Sequence, residues 1–244
     1  MQKSTLAMAL FAALPMLGSG AVLAAEESPF SANVSLTTDY AYRGISQTDE
    51  KAALQGGFDY AHSSGFYAGV WGSNISWLND IPASTSTGSS LELDLYAGYG
   101  MQVGPIGLDV GLLQYYYPGN YNSTWRAETG LEKPNTLEGY VGVSWEFLTF
   151  KYSNSFTDLF GAPDSEGSQY FDLSAEYEVM DGLSLDAHYG HQAITGVTES
   201  YYDWKVGGTY TVGGFDLGLH YVDTDIDDVD VADERYIFSV SKSF

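Results

Sequence analysis

The chain has no cysteine. That excludes a disulfide framework and any thiolate metal site. Cations are scarce: nine Lys and Arg stand against 32 Asp and Glu, for a formal net charge of −23. A nucleic-acid duplex demands a basic surface, so that partner is excluded. Long apolar runs are also missing beyond the N-terminus. No later stretch approaches the ~18 apolar residues of a spanning helix, so a membrane reading requires strands. Proline is kept to segment margins at Pro29, Pro82, Pro105, Pro118, Pro134 and Pro163. Strand interiors exclude it for want of an N–H. No Ser stands in a G-x-S-x-G context, and no Gly-rich segment opens a helical pattern. Nucleophile-elbow and phosphate-cradle chemistry therefore have no sequence signal.

What is present is aromatic and alternating. Twenty Tyr, twelve Phe and five Trp argue against the disordered acidic chain that the charge alone would fit. Lys3 precedes an apolar run from Leu6 to Leu23, which ends in small residues before Glu26 and Glu27. This reads as a secretory signal peptide over residues 1–25, leaving 26–244 as one mature domain. A membrane-anchoring helix is the alternative. Pro15, Gly18, Gly20 and the small-residue end weigh against it.

From residue 31 the period is two, the pattern of strands with one apolar and one polar face. Val34, Leu36, Thr38, Tyr40 and Tyr42 share one parity, and Asn33, Ser35, Asp39 and Arg43 the other. Leu91, Leu93, Leu95, Ala97 and Tyr99 oppose Glu92, Asp94 and Tyr96. Leu173, Ala175, Tyr177 and Val179 oppose Asp172, Ser174, Glu176 and Glu178. The segment 66–77 is rich in Gly and aromatics and shows no clear parity. About twelve such segments of about ten residues can be read, the length a tilted membrane strand needs. Short turns such as Asp181-Gly182 and Gly213-Gly214 alternate with long loops such as 118–135. Aromatics on the apolar parity gather near segment ends: Tyr40, Tyr42, Tyr60, Phe66, Tyr99, Trp145, Tyr177, Tyr202, Trp204, Tyr210, Phe215, Tyr221, Tyr236 and Phe244. Segment centres carry Leu, Val, Ala and Gly. That layout makes two interfacial girdles around an aliphatic belt.

The last segment closes the pattern. Tyr236, Phe238, Val240 and Phe244 lie on one face; Arg235, Ser239, Ser241 and Ser243 lie on the other. An apolar edge strand must be paired, and closing it on residues 31–42 removes the edge. The expected fold is all-β: a transmembrane antiparallel β-barrel of about twelve strands with periplasmic termini. Lys242 falls on the lipid-facing parity, where it would snorkel to headgroups.

The block Val34-Ser35-Leu36-Thr37-Thr38-Asp39-Tyr40-Ala41-Tyr42-Arg43-Gly44-Ile45-Ser46-Gln47 resembles the opening of the TorF-type putative porins. Ala53-Leu54-Gln55-Gly56-Gly57-Phe58-Asp59-Tyr60, Gly65-Phe66-Tyr67-Ala68-Gly69-Val70-Trp71, Glu92-Leu93-Asp94-Leu95-Tyr96-Ala97-Gly98-Tyr99 and Gly190-His191-Gln192 extend the resemblance. It implies a proteobacterial outer-membrane barrel acting as a porin. It implies no catalytic residue and no cofactor.

The polar parity supplies the candidate site. Asp39, Asp59, Glu92, Asp94, Asp109 and Glu138 face inward in the first half, and Asp172, Glu176, Asp186, Asp203 and Asp216 in the second. Arg43 and Lys205 are the chief cations among them. Carboxylates lining a water-filled lumen favour cations, which implies a passive channel for small solutes. The alternative is a packed interior in which these charges pair and plug the bore, with the outer loops binding a ligand or partner. Arg43 is expected near the outer end of the first strand, beside Asp39. Asp223, Asp225, Asp227 and Glu234 resemble a calcium loop, but Asp228 stands where the sharp turn needs Gly. A solvated acidic loop, or a divalent ion shared with lipopolysaccharide, are the other readings. His188 and His220 read as polar lumen residues rather than catalytic ones. The partners expected are outer-membrane lipids, lipopolysaccharide, small solutes, and barrel-assembly machinery that reads the strand ending in Phe244.

Overall fold

The computed structural model describes residues 28–80, 88–196 and 200–244. The expected signal peptide lies outside the described residues. In chain order the strands are β1 (Phe30–Thr37), β2 (Ala41–Tyr42), β3 (Ile45–Ser46), β4 (Ala53–Ala61), β5 (Phe66–Asn74), β6 (Leu91–Val103), β7 (Ile106–Tyr116), β8 (Thr136–Trp145), β9 (Leu148–Ser155), β10 (Gln169–Met180), β11 (Leu183–Ala193), β12 (Tyr201–Val212), β13 (Phe215–Thr224) and β14 (Arg235–Ser243). β2 and β3 pair only with each other. The other twelve form one closed antiparallel barrel, each beside its neighbour in sequence. β14 closes on β1, with Asn33 opposite Ser243 and Thr37 opposite Ser239. Backbone polar groups are thereby satisfied without a free edge, the condition for crossing lipid with strands.

Burial is inverted relative to a soluble protein. Leu36, Leu54, Leu95, Val110, Val141, Leu173, Val206 and Leu219 are exposed on the outer wall. Ser35, Gln55, Ser73, Glu92, Asp94, Glu138, Ser153 and Asp203 are buried on the inner one. That is the alternation of a barrel with a lipid-facing outside and a polar inside. Phe66, Trp145, Tyr177, Tyr210, Phe215 and Phe244 flank the belt at one rim, and Tyr202 and Tyr236 at the other. The third segment, ambiguous in sequence, resolves as β5 with Tyr67, Trp71 and Ser73 inward. It ends at Asn74, and Trp77 begins the short helix α1 (Trp77–Asp80). Lys242 does face outward, its Nζ 4.9 Å from the Phe215 ring and 5.3 Å from the Phe244 ring. A cation over aromatic faces loses less on leaving water.

One rim carries tight turns. Val103 pairs with Ile106, Trp145 with Leu148, Met180 with Leu183 and Val212 with Phe215, leaving two residues between each pair. Gly213 and Gly214 both have positive φ, the geometry that follows strand twist in a two-residue hairpin. The opposite rim carries the long connections. Residues 117–135 fold back with α2 (Ser123–Thr129), capped by Asn122 Oδ1 accepting from the Trp125 N–H and ended at Gly130 in the left-handed region. Trp125 is 1 % exposed and belongs to one buried cluster with Trp71, Ile75, Leu113 and Tyr117. This loop therefore packs onto the barrel mouth.

The first strand is shorter than its alternation predicts. β1 stops at Thr37, and the chain leaves the wall and turns inward as the β2–β3 hairpin. Tyr40 is 2 % exposed and Tyr42 is half-buried, so neither joins the outer girdle. The reason is side-chain demand. Tyr40 donates to Glu92 Oε1 at 2.6 Å, and its ring meets Trp71 edge-on at 5.4 Å. Both groups lie inside the barrel, and a girdle position would leave Glu92 without that donor.

Candidate functional site

The site is the lumen, and the β2–β3 hairpin organises it. Two arginines fix the hairpin. Arg235, on β14, donates from Nε to Asp39 Oδ2 at 2.6 Å and from Nη2 to the Gly44 carbonyl at 2.6 Å. Arg43, in the hairpin turn, reaches across to β8 and β11. Its Nη2 is 2.9 and 2.7 Å from the two Glu138 oxygens, and its Nη1 is 2.6 Å from Gln192 Oε1. The guanidinium also lies 4.8 Å from the Tyr42 ring and 4.2 Å from the Tyr170 ring. Burial opposes its charge, but Glu138 and the nearby tyrosine hydroxyls more than compensate, so its pKa is raised. Arg43 thus pairs with Glu138, while Asp39, near it in sequence, pairs with Arg235.

One arc of the wall holds carboxylates with tyrosine partners instead of cations. Glu92 accepts from Tyr40 and, at 2.7 Å, from the Tyr117 hydroxyl. Asp109 accepts from Tyr67 at 2.7 Å, Tyr67 also meets Tyr140, and Asp59 accepts from Tyr96. Burial, then the charge of Glu92, pushes the Tyr40 and Tyr117 phenols up, which keeps them as neutral donors. Room for these rings comes from facing glycines. A Cβ on Gly69 would sit 2.5 Å from the Tyr96 ring. Asp94, on the same face as Glu92 and only 2 % exposed, has no hydrogen bond or ion pair among the described residues.

The other arc pairs its acids with bases. His188 lies between two carboxylates, Nδ1 at 2.9 Å from Asp172 and Nε2 at 2.7 Å from Asp203. Asp203 also accepts from Tyr170 at 2.9 Å. Asp186 faces His220 Nε2 at 2.8 Å and Lys205 Nζ at 3.1 Å. Between the arcs lies a cavity of about 170 Å³, whose wall includes Asp94, Glu138, Lys151, Asp172, His188 and Lys205.

A family model described as "Bacterial protein of unknown function (Gcw_chp)" matches residues 23–244. The chain belongs to the Gcw_chp family. No curated protein matches the sequence. Among solved structures, the Gcw_chp barrel is similar to a KdgM porin at 9% identity and TM-score 0.58, covering 88% of this chain and 99% of that one. A KdgM porin in complex with disordered oligogalacturonate gives 10% identity, TM-score 0.56 and the same coverage. A NanC porin gives 10% identity and TM-score 0.51, covering 87% and 97%. At such identities the likeness is one of fold.

The Gcw_chp lumen brings most of the sequence candidates together. Arg43, Glu92, Asp94 and Glu138 gather at hairpin level, and Asp172, Asp186, Asp203 and Lys205 form the paired arc. Asp39 sits on the inturned segment rather than on the wall. Asp216 accepts from Thr211 at 2.6 Å close to the tight-turn rim, and Glu176 lies on the same side. Lys151 is a lumen cation that the sequence reading missed. Its Nζ lies 4.4 Å from the Tyr140 ring, and its parity was legible from Ser153 and Ser155 beyond it. The acidic loop does not converge on an ion. Asp223 accepts from Tyr221, and Asp225 accepts from the Tyr202 N–H at 2.7 Å. Among the described residues no group of three or more His, Cys, Asp or Glu is arranged to hold a metal.

Proposed function

We propose that this chain is a TorF-type outer-membrane porin-like channel that passes small solutes by diffusion, with a preference for cations. Nothing is chemically transformed. The observation that carries the reading is Asp94: a buried carboxyl group without a partner among the described residues, on the wall of the lumenal cavity. A buried carboxyl without compensation takes up a proton unless the lumen supplies water or a mobile counter-ion, and we take the lumen to supply them. Glu92 and Asp59 reinforce it, because their partners are neutral tyrosine hydroxyls and not cations. The inturned hairpin makes the passage narrow. Oligogalacturonate, present in one KdgM structure, is an acidic sugar chain, and these carboxylates argue against such a solute here. In this reading lipids and lipopolysaccharide surround the apolar belt, and barrel-assembly machinery recognises the strand that ends at Phe244.

Planar bilayers test the reading. Discrete conductance steps are expected, with a reversal potential on the cation-selective side under a KCl gradient. Asp94→Asn is expected to shift that potential toward zero. Silence from heat-modifiable, folded protein would sink the channel. An unchanged reversal potential in Asp94→Asn would remove Asp94 from the ion path.

A further inference from the structure

A second cavity, of about 450 Å³, opens at the long-loop mouth above the Arg43 lock. Its size falls in the range of small-molecule sites. The walls are aromatic: Tyr42, Trp77, Phe160 and Tyr201 contribute rings. Phe160 is the centre of this arrangement. It meets Tyr42 edge-on at 5.3 Å and Trp77 at 6.4 Å. Its φ of 48° lies in the left-handed region, which a bulky side chain adopts at a cost. Two contacts hold it there. The Phe160 N–H donates to Thr136 Oγ1 at 2.7 Å, and the following Gly161 accepts from the Glu132 N–H at 2.7 Å. The loop is thus fixed in the conformation that presents the ring.

The polar groups of this wall are mostly committed. Gln192 accepts from Arg43 and donates to the Gln169 carbonyl, and Ser46 donates to Asp39. Ser76 Oγ and Trp77 Nε1 have no hydrogen-bond partner among the described residues, but both atoms are buried behind the wall and do not open on the cavity. Among the described residues no Lys, Arg or His lines the cavity, and the one charged residue there, Asp49, is paired with Lys51 at 2.7 Å. An anion would find no counter-charge, and a polyhydroxylated solute would lose its hydration against rings with few acceptors to replace it.

We propose that this mouth cavity binds a small neutral solute with a planar apolar ring. The ring packs between Phe160 and Tyr201. This site does not depend on whether the lumen conducts.

Equilibrium dialysis of the full chain folded in detergent, against protein-free micelles at equal detergent, tests it. Coumarin is the probe: neutral and planar. Benzoate tests charge, and glucose tests a sugar. Saturable retention of coumarin is expected, with benzoate at least about tenfold weaker and glucose not retained. Phe160→Ala is expected to abolish saturation. Heat-modifiability on gels establishes that this variant remains a closed barrel. No excess coumarin with the native chain, equal retention of benzoate, or native affinity in Phe160→Ala would each overturn the proposal.

Discussion

The pair formed by Arg43 and Glu138 shows how a residue-scale contact governs this lumen. Both side chains are buried, at 7 % and 3 % exposure. Taking both charges out of water is expensive, so the intact pair adds little net stability. Its value lies in position: an arginine on an inturned loop is anchored to the far wall at two oxygens. Losing one partner is a different matter. Among the described residues, Arg43→Met leaves Glu138 with only the Tyr115 hydroxyl as a hydrogen-bond partner, at 3.4 Å. That variant is expected to lose about 3–5 kcal/mol in reversible urea unfolding in detergent. Glu138→Leu combined with Arg43→Met removes both charges and should recover most of the loss. The coupling energy of the double-mutant cycle is expected to exceed about 2 kcal/mol. A coupling below about 0.5 kcal/mol would mean that the two groups do not act as a pair in the folded barrel.

At the scale of elements, the strands were legible and the hairpin was not. Alternation over residues 91–99 and 173–179 located β6 and β10 and gave the correct inward set, because a wall between lipid and water imposes a strict period of two. The same rule misled at Tyr40 and Tyr42. A short inturned hairpin keeps the alternation of the strand it leaves, and parity does not distinguish a ring facing lipid from one filling a lumen. What fixes these rings is a set of partners distant in sequence, Glu92, Trp71 and Tyr115, which one chain does not reveal. Arg43 was read as a lumen residue, but its partner Glu138 was not legible for the same reason. β2 and β3 make no ladder with the wall, so the barrel should survive their loss. The Gln47 N–H donates to the Tyr40 carbonyl at 2.7 Å, so a Gly-Ser link can replace residues 41–46. Combined with Glu138→Gln, which spares an unpaired charge, this deletion is expected to keep heat-modifiability and raise single-channel conductance severalfold. A folded deletion variant with native conductance would locate the constriction elsewhere.

For the whole molecule, the closed barrel followed from features spread along the chain: alternating loop lengths, the excluded prolines, and a final strand apolar to its last residue. None of these depends on a long-range contact, so all were readable. The distribution of charge around the lumen was not. The sequence shows many inward acids and few cations, but not that His188, Lys205 and His220 all serve one arc while Glu92, Asp94 and Asp109 on the other have none of them. The unneutralised arc should set selectivity through its field, and a field acting on mobile ions is screened by them. The Debye length is about 10 Å at 0.1 M salt and about 3 Å at 1 M. The ratio of K⁺ to Cl⁻ permeability, taken from reversal potentials at a fixed gradient, should therefore fall as mean salt rises across that range. It should fall less in Asp94→Asn, which has less field to lose. A ratio that stayed constant with salt in both proteins would show that ions do not travel within reach of these carboxylates, and the cation preference would then need another source.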